Sequence, residues 1–383
     1  MMLEKIQALP LEQKIGQLFF IGLPSPEADE ETRRLLAEVA PGGVCLFARN
    51  IRSAEQTRKL TDNVREILPV TPIISIDQEG GLVDRLRRIM TPMPSARVIL
   101  RHGDLAAARQ LGKITGEILR ILGLNMNFAP TMEILGEDRE LLSNGLYSRS
   151  FGRSPGEVLG YSQVYLRGLQ SAGILGCLKH FPGIGAGEID SHEELPLIGL
   201  THDELLSRDL APYVELFFHR QDEDDRIRAV MVSHGGFPKI DLENETAGGK
   251  LSPASISRNI VTKLLREELG FKHLALTDDL EMGAILKHYS IEDAAKRAFK
   301  AGEDMILICS SPAAVRSGYR AMLPAFQNGE LSIERLDESL ARIADVKAIL
   351  KQPPEFDAAR LKELSTEIAA LNEKLNYSYG GRN

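Results

Sequence analysis

Residues 179–196 read KHFPGIGAGEIDSHEELP, with a lysine, two histidines, four acids and three glycines directly after the apolar run GILGCL. Asp190 and His192 stand two positions apart, so in an extended segment they share a face. The carboxylate can then orient the imidazole and raise its basicity, which suits proton transfer near neutral pH. Gly183, Gly185 and Gly187 supply the backbone freedom for such a loop to fold back over whatever it serves. Farther on, LALTDDLEMGA delivers two adjacent carboxylates, Asp278 and Asp279, straight from an apolar run. One of them, Asp278, can face a reaction centre while Asp279 turns to cap the next helix. Alone, DSH reads as a surface loop and TDD as a pair of capping acids. Together, an aspartate nucleophile and a mobile acid/base outline retaining glycoside hydrolysis.

Those groups need a scaffold that brings them to one place. Eight short apolar runs recur along the chain: 16–22, 42–47, 72–77, 125–130, 174–180, 228–234, 273–278 and 304–309. They are uninterrupted rather than alternating, as strands buried on both faces of a parallel sheet should be. Amphipathic stretches lie between them at 53–68, 104–123, 154–173, 252–270 and 291–302, several opening on Ser or Asp and closing on Gly. This pattern predicts a single α/β domain, a (β/α)8 TIM barrel over residues 1–351, with 332–351 as its last helix. A doubly wound open sheet is less favoured, because no GxGxxG follows the first strand. Residues 352–383 are expected to form a C-terminal helical extension rather than a second domain, with a fraying end.

In such a barrel, active sites lie at the carboxyl ends of the strands. The residues closing the apolar runs are Asp77, Asn127, Lys179 with His180, His234, and Asp278 with Asp279. Any one of them alone is most simply a cap or a solvated loop residue. On one rim together they mark a site.

The net charge of −8 and the pI near 5.6 argue against nucleic acid or an anionic membrane as partner. Cys45, Cys177 and Cys309 sit singly in apolar runs, which fits buried thiols in a reducing compartment and no disulfide framework. The amino-terminal sequence has no secretory pattern, and no apolar stretch approaches the roughly 20 residues of a membrane span. A cytoplasmic protein, monomer or homodimer, with neither cofactor nor metal is the expectation.

KHFPG-x-G…DSH…LP with TDDLEM resembles glycoside hydrolase family 3, in its single-domain bacterial β-N-acetylglucosaminidase branch. LEQKIGQLFFIG, GGVCLFARNI, IDQEGG-x-V-x-RL, NFAP, SRSFG, AVMVSH and AGEDMILI follow in the family's order, and the likeness runs through most of 11–350. The resemblance implies that Asp278 is the nucleophile and that His192, held by Asp190, is the acid/base. It further implies that Asp77, Arg85, Arg149, Lys179 and His180 hold the terminal sugar. The implied substrate carries terminal β-linked GlcNAc, typically a cell-wall fragment met in recycling. Three positions depart from the family pattern: Ile184 where His is usual, Leu82 where Arg is usual, and Glu133 where Asp is usual. The charged stretch 217–229 reads as a surface insertion. Other readings are a family 3 β-glucosidase or broad glycosidase, a phosphorylase, and a weakly active sugar-binding relative. A metal-dependent amidohydrolase-like barrel is disfavoured, since no HxH follows the first strand.

Overall fold

The computed structural model describes residues 2–139, 142, 145–218, 226–241 and 251–380. Residues 219–225 of the charged stretch, and 381–383 of the tail, lie outside the described residues.

The described residues form eleven strands: β1 (Phe19–Gly22), β2 (Gly43–Leu46), β3 (Ile73–Ile76), β4 (Gln78–Gly80), β5 (Val83–Asp84), β6 (Met126–Asn127), β7 (Leu175–Gly176), β8 (Leu178–Phe181), β9 (Ala229–Val232), β10 (Leu274–Asp279) and β11 (Met305–Ile308). Each of the eight apolar runs forms a strand. β4 and β5 form a small antiparallel hairpin above β3. The other nine pair side by side, all parallel, in the order β7-β6-β3-β2-β1-β11-β10-β9-β8. β7 and β8 are two halves of one strand, separated only by Cys177, and each half pairs with a different neighbour. The sheet therefore closes on itself as a single (β/α)8 barrel, with its fifth strand split at the seam. A further bridge, Thr131 to Lys179, helps join the two edges.

β1, β2, β3, β9 and β11 are fully buried because helices cover the outside while side chains fill the inside. Phe20 of β1 and Phe128, just past β6, meet across the interior with ring centroids 5.2 Å apart. Helices start where the sequence places a cap: Ser53, Asp104, Ser154 and Ser290 each accept a backbone N–H from the first turn. The helices Leu105–Ile121 and Pro155–Ser171 approach so closely that a Cβ on Gly112 would lie 2.1 Å from the Tyr165 carbonyl oxygen. Only glycine fits there.

One expectation needs correction. The helix that follows β11 and completes the outer ring is Pro312–Gln327, packed on Ile291–Ala301, and not 332–351. The helix Ile333–Ile349 instead lies beneath the barrel, against helix Met2–Gln7 and β10, and it bonds to Asp304 at the start of β11. Asp304, fully buried at that start, accepts from Arg266 (2.6 Å), Arg335 (3.3 Å), Arg342 (3.0 Å) and Ser339 (3.1 Å). Beside this network, Lys347 is buried and donates to the Gln17 side chain at 2.6 Å. The helix Ala358–Lys374 buries Leu361, Leu364, Ile368 and Leu371 against helix Leu105–Ile121, and Arg360 pairs with Glu117 at 2.8 Å.

Candidate active site

At the carboxyl rim, Asp77 follows β3, while Lys179 and His180 lie within β8. His234 follows β9, and Asp278 and Asp279 close β10. The centre of the cluster is a residue that the sequence reading passed over, Glu79 of the β4 hairpin. Its buried carboxylate accepts two hydrogen bonds from Arg149, at 2.8 and 2.9 Å, and pairs with the Lys179 ammonium at 2.6 Å. Lys179 reaches Asp77 at 2.5 Å with the same nitrogen. Burial opposes the charge on Glu79, but Arg149 and Lys179 outweigh it and hold the carboxyl far below its ordinary range. Burial likewise works against the Lys179 charge, and Asp77 and Glu79 overcome it, so its pKa is raised.

His180 is placed by Glu133, whose Oε1 accepts the His180 backbone N–H and lies 2.8 Å from Nδ1. The other imidazole nitrogen then faces the guanidinium of Arg149 at 3.4 Å. The peptide between Lys179 and His180 is cis. Glutamate at 133, longer than the aspartate of the family pattern, still meets its histidine.

Asp278 is half-buried, and the Asp279 backbone N–H donates to its Oδ1 at 2.8 Å. Burial would raise its pKa, but His180, that backbone N–H and Lys179 together lower it, so the carboxylate is ionised at neutral pH. Its neighbour differs: burial above all pushes Asp279 up to about 7. Asp279 acts as a cap, with Oδ1 accepting from Glu281 at 3.1 Å and Cys309 at 3.2 Å. His234, a rim residue without a role assigned from sequence, is kept neutral chiefly by burial. It donates from Nε2 to the Asp279 carbonyl at 2.9 Å, and its Nδ1 accepts from the Ser255 hydroxyl at 2.7 Å. That neutral tautomer braces the backbone carrying Asp278.

The Asp190–His192 pair forms, but in a turn rather than in the extended segment the spacing suggests: the Glu193 and Glu194 N–H groups donate to the Asp190 carbonyl at 2.9 and 3.1 Å. Asp190 Oδ1 accepts the His192 backbone N–H at 2.9 Å and lies 2.8 Å from Nδ1. Burial opposes the Asp190 charge, yet these two bonds lead the effects that lower its pKa. Nε2 is left to the outside: the imidazole is 69% exposed. The loop lies on the segment that leaves β10, since Gly283 N–H donates to the His192 carbonyl at 3.1 Å and Ala284 N–H to that of Ser191 at 3.3 Å. Only four residues therefore separate Asp278 from Gly283, where the histidine's own backbone is fastened.

The structure thus gathers Asp77, Arg149, Lys179 and His180 into one network, with Asp278 beside it and the Asp190–His192 pair on the overlying loop. Arg85 stands apart. Its guanidinium lies 5.9 Å from the Phe47 ring, its Nε is buried without a hydrogen-bond partner, and no ion pair joins it to Glu79 among the described residues. Ile184 is buried beneath the loop with Ile198 and Phe237, where an apolar side chain anchors the loop's base. Leu82, at the tip of the β4–β5 hairpin, is exposed. The three cysteines are free and buried. Among the described residues, no group of three or more His, Cys, Asp or Glu is placed to hold a metal ion. None of their helices is long and apolar enough to cross a membrane.

Chemically, the cluster offers fixed charged donors and acceptors around one open carboxylate, a setting for a polyhydroxylated ligand. Residues 10–346 match the Glycosyl hydrolase family 3 N terminal domain. The chain belongs to glycosyl hydrolase family 3. This family 3 glycoside hydrolase is 32% identical over 346 residues to β-hexosaminidase A of Pseudoalteromonas piscicida, covering 84% of the chain but only 56% of that relative. With the β-hexosaminidase of Neisseria gonorrhoeae strain FA 1090 it shares 33% identity over 74% of the chain and 75% of the relative. A family 3 β-N-acetylglucosaminidase structure from Paenibacillus sp. superposes with a TM-score of 0.84 at 33% identity, covering 95% of this chain and 69% of that one.

Proposed function

We propose that the protein is a retaining exo-β-N-acetylglucosaminidase acting on terminal β-linked GlcNAc, with cell-wall fragments in the cytoplasm as its substrates. Residues 1–351 would carry the whole reaction as one domain. In this reading Asp77, Arg149, Lys179 and His180 grip the hydroxyls of the terminal sugar, with Arg85 at the margin, and aim its anomeric carbon at Asp278. An Asp278 carboxylate oxygen attacks that carbon while the bond to the aglycone oxygen breaks. His192, protonated and oriented by Asp190, gives its proton to the departing oxygen. The glycosyl-aspartate is then opened by water, whose proton returns to His192. Nε2 is the atom free for both transfers, since Nδ1 faces Asp190.

One observation carries the reading: an ionised carboxylate at the end of β10 lies beside a dense sugar-type network, and the Asp–His pair is fastened just past it. The choice of GlcNAc is supported by the relatives' names and the sequence motifs. The test is incubation with a 2-fluoro or 5-fluoro glycosyl donor followed by peptide mass spectrometry. A sugar adduct on Asp278 is expected. Turnover with inversion at the anomeric carbon, or an adduct on a different residue, would reject the mechanism.

A further inference from the structure

The loop carrying His192 must present its imidazole at one height and angle, yet a glycine-rich segment has no such preference of its own. The loop is fastened in the middle at Gly283 and Ala284, and at its far end, where Ile198 N–H donates to the Gly236 carbonyl and Gly236 N–H to that of Pro196, both at 2.8 Å. Its near end rests on something different. Arg139 and Asp209, both almost fully buried, form a two-bond ion pair at 2.6 and 2.9 Å, and Arg139 Nη1 also donates to the Ile134 carbonyl at 3.1 Å. Gly183, with φ +120°, lies so close that a Cβ there would be 3.0 Å from Asp209 Cβ. A Cβ on Gly185 would be 3.2 Å from the Ile134 oxygen and 3.5 Å from Arg139 Nη1. The first turn of the loop sits directly on this pair.

Neither residue lies in the motifs quoted above, and neither touches the Glu79 network among the contacts described. A buried ion pair is also a poor device for stability, since apolar residues of equal volume often do as well. What it provides is fixed geometry: a planar guanidinium forked onto a carboxylate holds one arrangement only. We infer that Arg139 and Asp209 are positioning residues for the acid/base loop, setting where the His192 imidazole comes to rest. The inference depends on His192 being the proton donor, as proposed above.

The experiment compares wild type, Arg139→Lys, Asp209→Asn and the double variant Arg139→Met with Asp209→Leu, which replaces the pair by apolar volume and should keep the fold. Each is assayed on 2,4-dinitrophenyl and phenyl β-N-acetylglucosaminides, with His192→Ala as the reference. The dinitrophenolate leaves without a proton; the phenolate needs one. If the pair positions the donor, kcat/KM on the phenyl substrate, which reports the step that needs the acid, falls at least about ten-fold more than on the dinitrophenyl substrate in all three variants. Equal losses on both substrates would mean a merely structural pair and overturn the inference, as would unchanged kinetics in the double variant. If His192→Ala itself loses both activities equally, the acid assignment fails, and that failure shows in the reference arm rather than in the pair.

Discussion

Glu79→Gln is the most exacting perturbation of the site, because it removes one charge and almost no volume. The carboxylate accepts two bonds from Arg149 and one from Lys179, all between 2.6 and 2.9 Å, and its side chain is 6% exposed. An amide can accept at one atom only. Its NH2 must then face Arg149 or Lys179, donor against donor. Breaking a buried pair from one side costs about 3–5 kcal/mol. Asp77 still neutralises Lys179, so the lower end, about 3 kcal/mol, is expected here. The sign with pH follows from the depressed pKa of Glu79. Its stabilisation is present above the unfolded value near 4.3 and is lost as pH falls toward the folded one. Urea unfolding of both proteins from pH 3 to 8 should give a gap of about 3 kcal/mol at pH 7 that narrows below about pH 4. In parallel, kcat/KM on an aryl GlcNAc substrate should drop about 100-fold as the sugar site loses its alignment. A gap under about 1 kcal/mol, or one that persists unchanged in acid, would show that Glu79 does not hold the network together.

Asp278→Ala should abolish turnover while leaving the thermal transition within a few degrees of wild type; measurable turnover would remove its assigned role. Asp190→Asn should cut kcat/KM about 100-fold, because the imidazole loses the carboxylate that orients it. Lys347 is buried with a pKa lowered by burial to about 7. The unfolded chain holds that proton until about pH 10.4, so wild-type stability should gain about 1.4 kcal/mol per pH unit from this group between roughly 7 and 10. Lys347→Met should lose that slope and be the more stable protein at pH 7, as read by urea midpoints. Ile184→His should destabilise by about 1–3 kcal/mol in the same assay, since an imidazole would replace an apolar anchor packed against Ile198 and Phe237.

All eight barrel strands were legible, because strands covered on both faces carry an unbroken apolar signature that surface elements lack. Helix starts were legible at Ser53, Asp104 and Ser154 through their caps. The last ring helix was not. Pro312–Gln327 carries Pro324 in its interior, which reads as a break in the sequence, whereas no proline interrupts 332–351. An unbroken helical stretch says that a face is buried, but not whether the cover is the barrel's flank or its floor. The Asp190–His192 pair is local in sequence, so its partners were legible, although a turn rather than an extended segment brings them together. Glu79 could not: its importance arises from Arg149, 70 positions away, and from Lys179 on another strand. Glu133 stood out only as a departure from a pattern, and its bond to His180 across 47 positions is a product of barrel closure.

The placement of the floor helix has an engineering consequence. Asp304 with its arginines, and Lys347 with Gln17, lie at the amino ends of the strands, while every group assigned to chemistry lies at the carboxyl ends. A packed barrel interior separates the two. Thermostability can therefore be tuned from below, by rewriting Lys347 or the Asp304 cluster, and turnover tuned from above, with changes at one end leaving the other nearly untouched. Substitutions from the two ends should combine additively, so a hardier enzyme need not be a slower one.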